Sequence, residues 1–151
     1  MFFAPLPWTS LQVCPAEIYA RFGEPFDREV LAAVAEAPFN MLHVCGNEIA
    51  IERFYDYPVA ALNWDNFGEG NPSLSEVARA SGKVVAGGIP HRKLHRLTAE
   101  TLEPHARAAL RDAEGRILLA GGCGIGALTP TGPRAAVRTV AEALGPGPWT
   151  A

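Results

Sequence analysis

The chain has 151 residues, the length of one domain, and its apolar fraction of 48% is that of a protein with an ordinary globular core. Thirteen basic residues against sixteen acidic ones give a net charge of -3, and the basic residues form no stripe, so neither nucleic acid nor an anionic membrane surface is expected as a partner. No apolar run nears the roughly 20 residues that span a bilayer, and Met1-Phe2-Phe3-Ala4-Pro5 lacks the charged start of a signal peptide, so a cytoplasmic location is expected.

Short β-like runs alternate with helical stretches along the chain, the order that builds parallel sheets from βαβ units. The predicted strands are Phe2 to Ala4, Asn40 to Cys45, Ala60 to Trp64, Val84 to Gly88 and Ile117 to Gly121. Helical segments are predicted at Ala16 to Phe22, Asp27 to Ala37, Ile49 to Tyr55, Leu74 to Ser81, Ala99 to Ala113 and Arg134 to Leu144. Ser73-Leu74-Ser75-Glu76 has capping-box spacing and starts the fourth of these. Thr131-Gly132-Pro133 offers an N-cap oxygen and a first-turn proline for the last, and Gly145-Pro146-Gly147-Pro148 stops it. One domain over residues 1–145 with a Gly/Pro tail over 146–151 is the expected organisation. Because the strands are apolar on both faces, a (β/α) barrel is favoured over an open sheet.

Three cysteines, Cys14, Cys45 and Cys123, are an odd number at no disulfide-framework spacing, which favours thiols or metal ligands. His43 and Cys45 lie two apart in the apolar run ending Leu42-His43-Val44-Cys45, and strand residues i and i+2 project to one face. Cys123 follows the apolar run Ile117-Leu118-Leu119-Ala120, so all three groups fall where a strand gives way to a loop. Three such ligands would suit zinc and leave a fourth position open, as catalytic zinc sites do. Taken singly, a cysteine is more often core than ligand; the spacing and strand-end placement of the triplet weigh toward metal binding. Cys14, before Pro15, reads as a substitute N-cap, and His91 and His95 as parts of a solvated basic surface with Arg92, Lys93 and Arg96, while His105 takes no assigned role.

Four stretches, Met1-Phe2-Phe3-Ala4, Asn40-Met41-Leu42-His43-Val44-Cys45-Gly46, Ala61-Leu62-Asn63-Trp64-Asp65, and Gly121-Gly122-Cys123-Gly124 through Thr129-Pro130, resemble the uroporphyrinogen decarboxylase superfamily in order and spacing. The resemblance implies a (β/α)8 barrel of which this chain is the C-terminal portion, about five βα units. The His-x-Cys pattern with a distant Cys is similar to the zinc-dependent methylcobamide:thiol methyltransferase branch, which implies that His43, Cys45 and Cys123 bind zinc. Zinc, a methylated corrinoid as methyl donor, a small-molecule thiol as acceptor and a corrinoid protein as partner follow from that branch. Asn63, Trp64, Asp65 and Gly88 are expected around the substrate, with Asp65 orienting substrate, holding the second ring nitrogen of His43, or capping nearby loop amides.

The decarboxylase branch is the alternative. Its members carry histidine in a Gly-His-Gly context where this chain has Gly122-Cys123-Gly124, and its arginine-rich N-terminal substrate motif has no counterpart here. A non-catalytic remnant or accessory subunit is the third reading. A five-unit barrel wall would leave edges at Phe2 to Ala4 and Ile117 to Gly121, so a complementary N-terminal barrel half or a second copy of the chain is expected against them.

Overall fold

A computed structural model describes residues 2–6, 10, 11 and 13–145; the predicted tail at 146–151 lies outside them. Five strands, β1 (Phe2–Leu6), β2 (Asn40–Val44), β3 (Ala61–Trp64), β4 (Val84–Ile89) and β5 (Ile117–Gly121), form one parallel sheet. Each strand pairs with the next in sequence. A doubly wound sheet would reverse its strand order at a switch point; strictly sequential parallel neighbours are the order of a barrel wall. Among the described residues no further strand lies beyond β1 or β5.

Five helices cover one face: α1 (Ala16–Phe22), α2 (Glu24–Ala33), α3 (Leu74–Ser81), α4 (Ala99–Asp112) and α5 (Thr131–Leu144). The capping box at Ser73 is present, with the Glu76 amide donating to the Ser73 hydroxyl at 3.3 Å and the Ser73 amide donating to the Glu76 carboxylate at 2.8 Å. Gly145, at φ 75, ends α5.

Several predicted boundaries move. α2 starts at Glu24 rather than Asp27, because Pro25 in its first turn is preset for helix and needs no N–H partner. It ends at Ala33, and the Asn40 side chain donates to the Val34 carbonyl at 2.8 Å as the chain turns into β2. The segment predicted as a helix from Ile49 to Tyr55 is only a 3₁₀ turn at Ile51–Phe54, since Ile51 and Phe54 bury themselves at a spacing of three. A second 3₁₀ segment, His91–Arg96, follows β4. Thr131 is the first residue of α5, not its cap; Pro130 holds that place and no side chain caps the helix. Cys14 likewise caps nothing: Pro15 precedes α1, and the Cys14 thiol lies 3.7 Å from the Pro15 carbonyl.

The sheet has two unlike faces. Leu42, Val44, Leu62, Trp64 and Val85 point to the helices, sharing one buried cluster with Phe54, Tyr57, Leu74 and Val77. A second cluster joins Ile89, Leu94, Leu102, Ala106, Ala136 and Val140. On the opposite face the register runs His43, Asn63, Ala86, Leu118 straight across β2 to β5, a row that alternation sets opposite the helix layer.

Candidate metal centre

His43 is carried near the end of β2, Cys45 follows that strand directly, and Cys123 follows β5 by two residues. Their ligand atoms lie within 4.8 Å of one another, although Cys123 is 78 residues from Cys45 in the chain. The two sulfurs are 3.8 Å apart. A tetrahedral zinc with Zn–S distances of about 2.3 Å holds its two sulfurs about 3.8 Å apart. The donor set and its spacing therefore fit zinc without rearranging the two cysteines.

Glycine makes the third ligand reachable. A side chain on Gly122 would place its Cβ 2.5 Å from the Asp65 Cα and 2.7 Å from the Trp64 carbonyl oxygen. Only a residue without Cβ lets the chain after β5 lie against the end of β3 and carry Cys123 toward Cys45. Asn63 fastens the same region. Its side-chain amide donates to the Ala86 carbonyl at 2.7 Å and to the Gly121 carbonyl at 3.1 Å, and Asn63 stands beside His43 in the β2–β3 register. The strand neighbour of His43 thus ties down the base of the loop that bears Cys123.

The electrostatics set the protonation states a metal would find. Burial holds the His43 imidazole below its ordinary pKa, in the neutral form that ligates metal. The Cys45 thiol is pushed up, first by burial and then by its neighbour Cys123, with the Arg92 guanidinium pulling the other way. Two adjacent thiolates repel one another and are unstable alone, whereas a divalent cation between them would favour both in the ionised state.

Next to the trio Asp65 is buried, accepting from the Phe67 amide at 3.2 Å and from Arg92 Nε at 2.9 Å, with His91 Nδ1 3.8 Å away. Arg92 also reaches Asn47 Oδ1 at 3.4 Å. Asp65, Phe67, His91, Arg92 and His105 line a cavity of about 200 Å³.

The sequence-predicted residues therefore divide. His43, Cys45 and Cys123 come together, and Asn63 sits against them as a strap between strands. Of the three roles expected for Asp65, the structure shows the capping of a loop amide, and the same carboxylate also holds Arg92. Trp64, expected at the mouth of the site, is wholly buried on the helix side with its indole N–H donating to the Pro72 carbonyl at 3.0 Å, because residue 64 has the opposite parity to Asn63. Gly88, at φ +86, is tight against α4, where an added Cβ would meet Ala109 Cβ at 2.3 Å; its missing side chain makes room for a helix. Gly87 and Gly121 likewise approach protein atoms, of Asn66 and Leu74 and of Cys123 and His91.

His91 is buried rather than solvated, and Arg92 turns back to Asp65, so two residues read from the sequence as basic surface line the cavity instead. Their signal was positional: Pro90-His91-Arg92 follows β4 as Cys45 follows β2, at the strand ends where barrel sites assemble. His95 is exposed and accepts from Arg96 at 2.9 Å, while exposed His105 meets the Phe67 ring edge-on.

No family model matches the chain, and no curated protein does. Among solved structures it is similar to a methyltransferase from Methanosarcina mazei, with a TM-score of 0.76 and 20% sequence identity over 94% of this chain. The match covers 41% of that methyltransferase, so the chain spans less than half of its length. At this identity the likeness establishes the shared fold: sequential βα units of a barrel wall, with His43, Cys45 and Cys123 at the C-terminal ends of its strands. No helix among the described residues is long and apolar enough to cross a membrane.

Proposed function

We propose that this chain carries the zinc site of a methyltransferase that moves a methyl group from a methylated corrinoid to a small-molecule thiol. The observation that carries the reading is the grouping of His43, Cys45 and Cys123 with a sulfur spacing matched to tetrahedral zinc. His43, kept neutral by burial, and the thiolates of Cys45 and Cys123 would hold the ion. Zinc bound there would supply a site at which an acceptor thiol is held as the thiolate. Two cysteinates and a neutral imidazole would balance the ion's charge and leave electron density on an incoming sulfur. Buried Asp65, paired with the exposed Arg92, has its carboxylate engaged and does not compete for the metal.

Decarboxylation has less to work with. Arg92, which lines the cavity beside Asp65, is spent on Asp65 and Asn47, and a polycarboxylate substrate needs several free guanidinium groups. The rest of the enclosure is proposed to come from further βα units, in a complementary barrel half or a second copy of this chain, with a corrinoid protein presenting the methyl donor.

Metal analysis of protein purified under reducing conditions tests the proposal. One zinc per chain is expected, lost in Cys45→Ser and Cys123→Ser. With methylcobalamin as donor and 2-mercaptoethanol as acceptor, thioether formation should depend on that zinc once the barrel is completed. Wild-type protein that stays folded and takes up no zinc would remove the mechanism.

A further inference from the structure

Cys45 and Cys123 are the one pair of thiols that the fold sets face to face, 3.8 Å apart and both only half-buried. They reside on differently constrained backbone. Cys45 is tied to the sheet, its amide donating to the Leu6 carbonyl at 3.2 Å. Cys123 sits between Gly122 and Gly124, and around Gly124 there is open space on the side where a Cβ would project. A disulfide requires the sulfurs to close to about 2.05 Å. That closure is a small displacement of Cys123 toward a fixed Cys45; Gly122 is held against the end of β3, and the room lies on the Gly124 side.

We propose that Cys45 and Cys123 form a peroxide-driven disulfide that dismantles the metal site, making the centre a redox-controlled one. One thiolate attacks an oxygen of hydrogen peroxide and breaks the O–O bond; the departing hydroxide takes up a proton and leaves as water, and a sulfenic acid remains. The second thiol then attacks that sulfur, its proton joining the displaced hydroxyl as a second water, and the S–S bond forms. Two thiols are oxidised by two electrons and one peroxide is reduced to two waters. Both thiolate donors are consumed together, and His43 alone does not retain the ion. Cys14, whose thiol faces the Pro15 carbonyl, stays outside the reaction. The consequence for zinc rests on the metal reading of the site; the bond itself rests on geometry alone.

The test uses the full chain, zinc-loaded and metal-stripped, treated with hydrogen peroxide and alkylated. In the stripped protein, intact mass should fall by two hydrogens, and peptide mapping should join the Cys45 and Cys123 peptides with Cys14 alkylated. In the loaded protein, the same link should appear with loss of one zinc per disulfide, read by a chromogenic chelator, and a thiol reductant should restore binding. Cys123→Ser should form no link and leave Cys45 as a sulfenic acid trapped by dimedone. Links through Cys14, links only between chains, or a Cys45–Cys123 link that leaves zinc bound would overturn the proposal. If zinc never binds yet the link forms, the metal reading falls and the disulfide stands; if zinc binds and no link forms, only the disulfide falls.

Discussion

The middle of the sheet and its β1 margin are built on opposite terms. Around β2, β3 and β4 the helix side is sealed, with Leu42, Val44, Leu62, Trp64, Val77 and Val85 all essentially without solvent exposure. Along β1 the covering helices α1 and α2 turn large apolar side chains outward: Phe22 is 58% and Phe26 61% exposed, with Ile18 and Val30 close behind. A cavity of about 250 Å³ lined by Ala4, Pro5, Leu6, Val30, Leu31 and Leu42 opens beside the same strand. At the other margin Leu118 of β5 is 42% exposed. The contrast teaches where stability and function reside. The middle supplies the folding free energy and fixes His43, Asn63 and Cys45; the third ligand arrives from beyond the β5 margin. The candidate metal centre bridges the two regimes.

The largest expected effect separates the middle from the margin. Trp64→Ala removes a fully buried indole and its hydrogen bond to Pro72, and should cost about 3–5 kcal/mol in urea unfolding. Phe26→Ser, on the exposed flank of α2, should change stability by less than about 0.5 kcal/mol. Equal losses at the two positions would abolish the distinction, and would mean that the β1 flank is covered in solution. A smaller effect is expected where the regimes meet. Gly122→Ala brings a Cβ onto the Asp65 backbone, so zinc affinity by competition titration should fall by about 10–100-fold, the range for disturbed support around a metal ligand. Gly124→Ala, with nothing near its Cβ position, should bind zinc as the wild type does.

The smallest effect is a pH dependence of the metal-free protein. His43 and His91 both have folded pKa values held down by burial, so the unfolded chain binds more protons than the folded one as pH falls below about 6.5. Their contribution to stability is complete above that value and is lost on acidification toward the lowered folded pKa values. Asp65, Arg92 and Lys93 face His91, so the profile should be repeated in His91→Gln, which ought to flatten part of it. Thermal unfolding at stepped pH reads the change. A stability that rose on acidification through this window would contradict the burial of both rings.

Much of this arrangement was legible in the chain. Strands declared themselves as apolar runs, the Ser73 cap by its spacing to Glu76, and the ligand trio by an i, i+2 pair answered at another strand end. What escaped was information held between strands. That Asn63 would stand beside His43, or that Trp64 would turn to the helices, depends on the register that aligns His43 with Asn63, and register is a pairing between segments rather than a property of either. Gly88 and Gly122 could be marked as places of close approach, but whether the approaching group was a ligand, a helix or a neighbouring strand end was decided by tertiary packing. Ile51 and Phe54 share a spacing that serves α and 3₁₀ turns alike, so the local pattern did not separate them.

The separation of the ligands along the chain carries a consequence for timing. His43 and Cys45 leave the ribosome long before Cys123, the residue that completes their cluster. A competent centre therefore arises only when β5 has docked on β4 and Gly122 has settled against Asp65. On the proposed metal reading, capture of the ion would be a late checkpoint in assembly, and its tight retention would certify that the final strand has found its place.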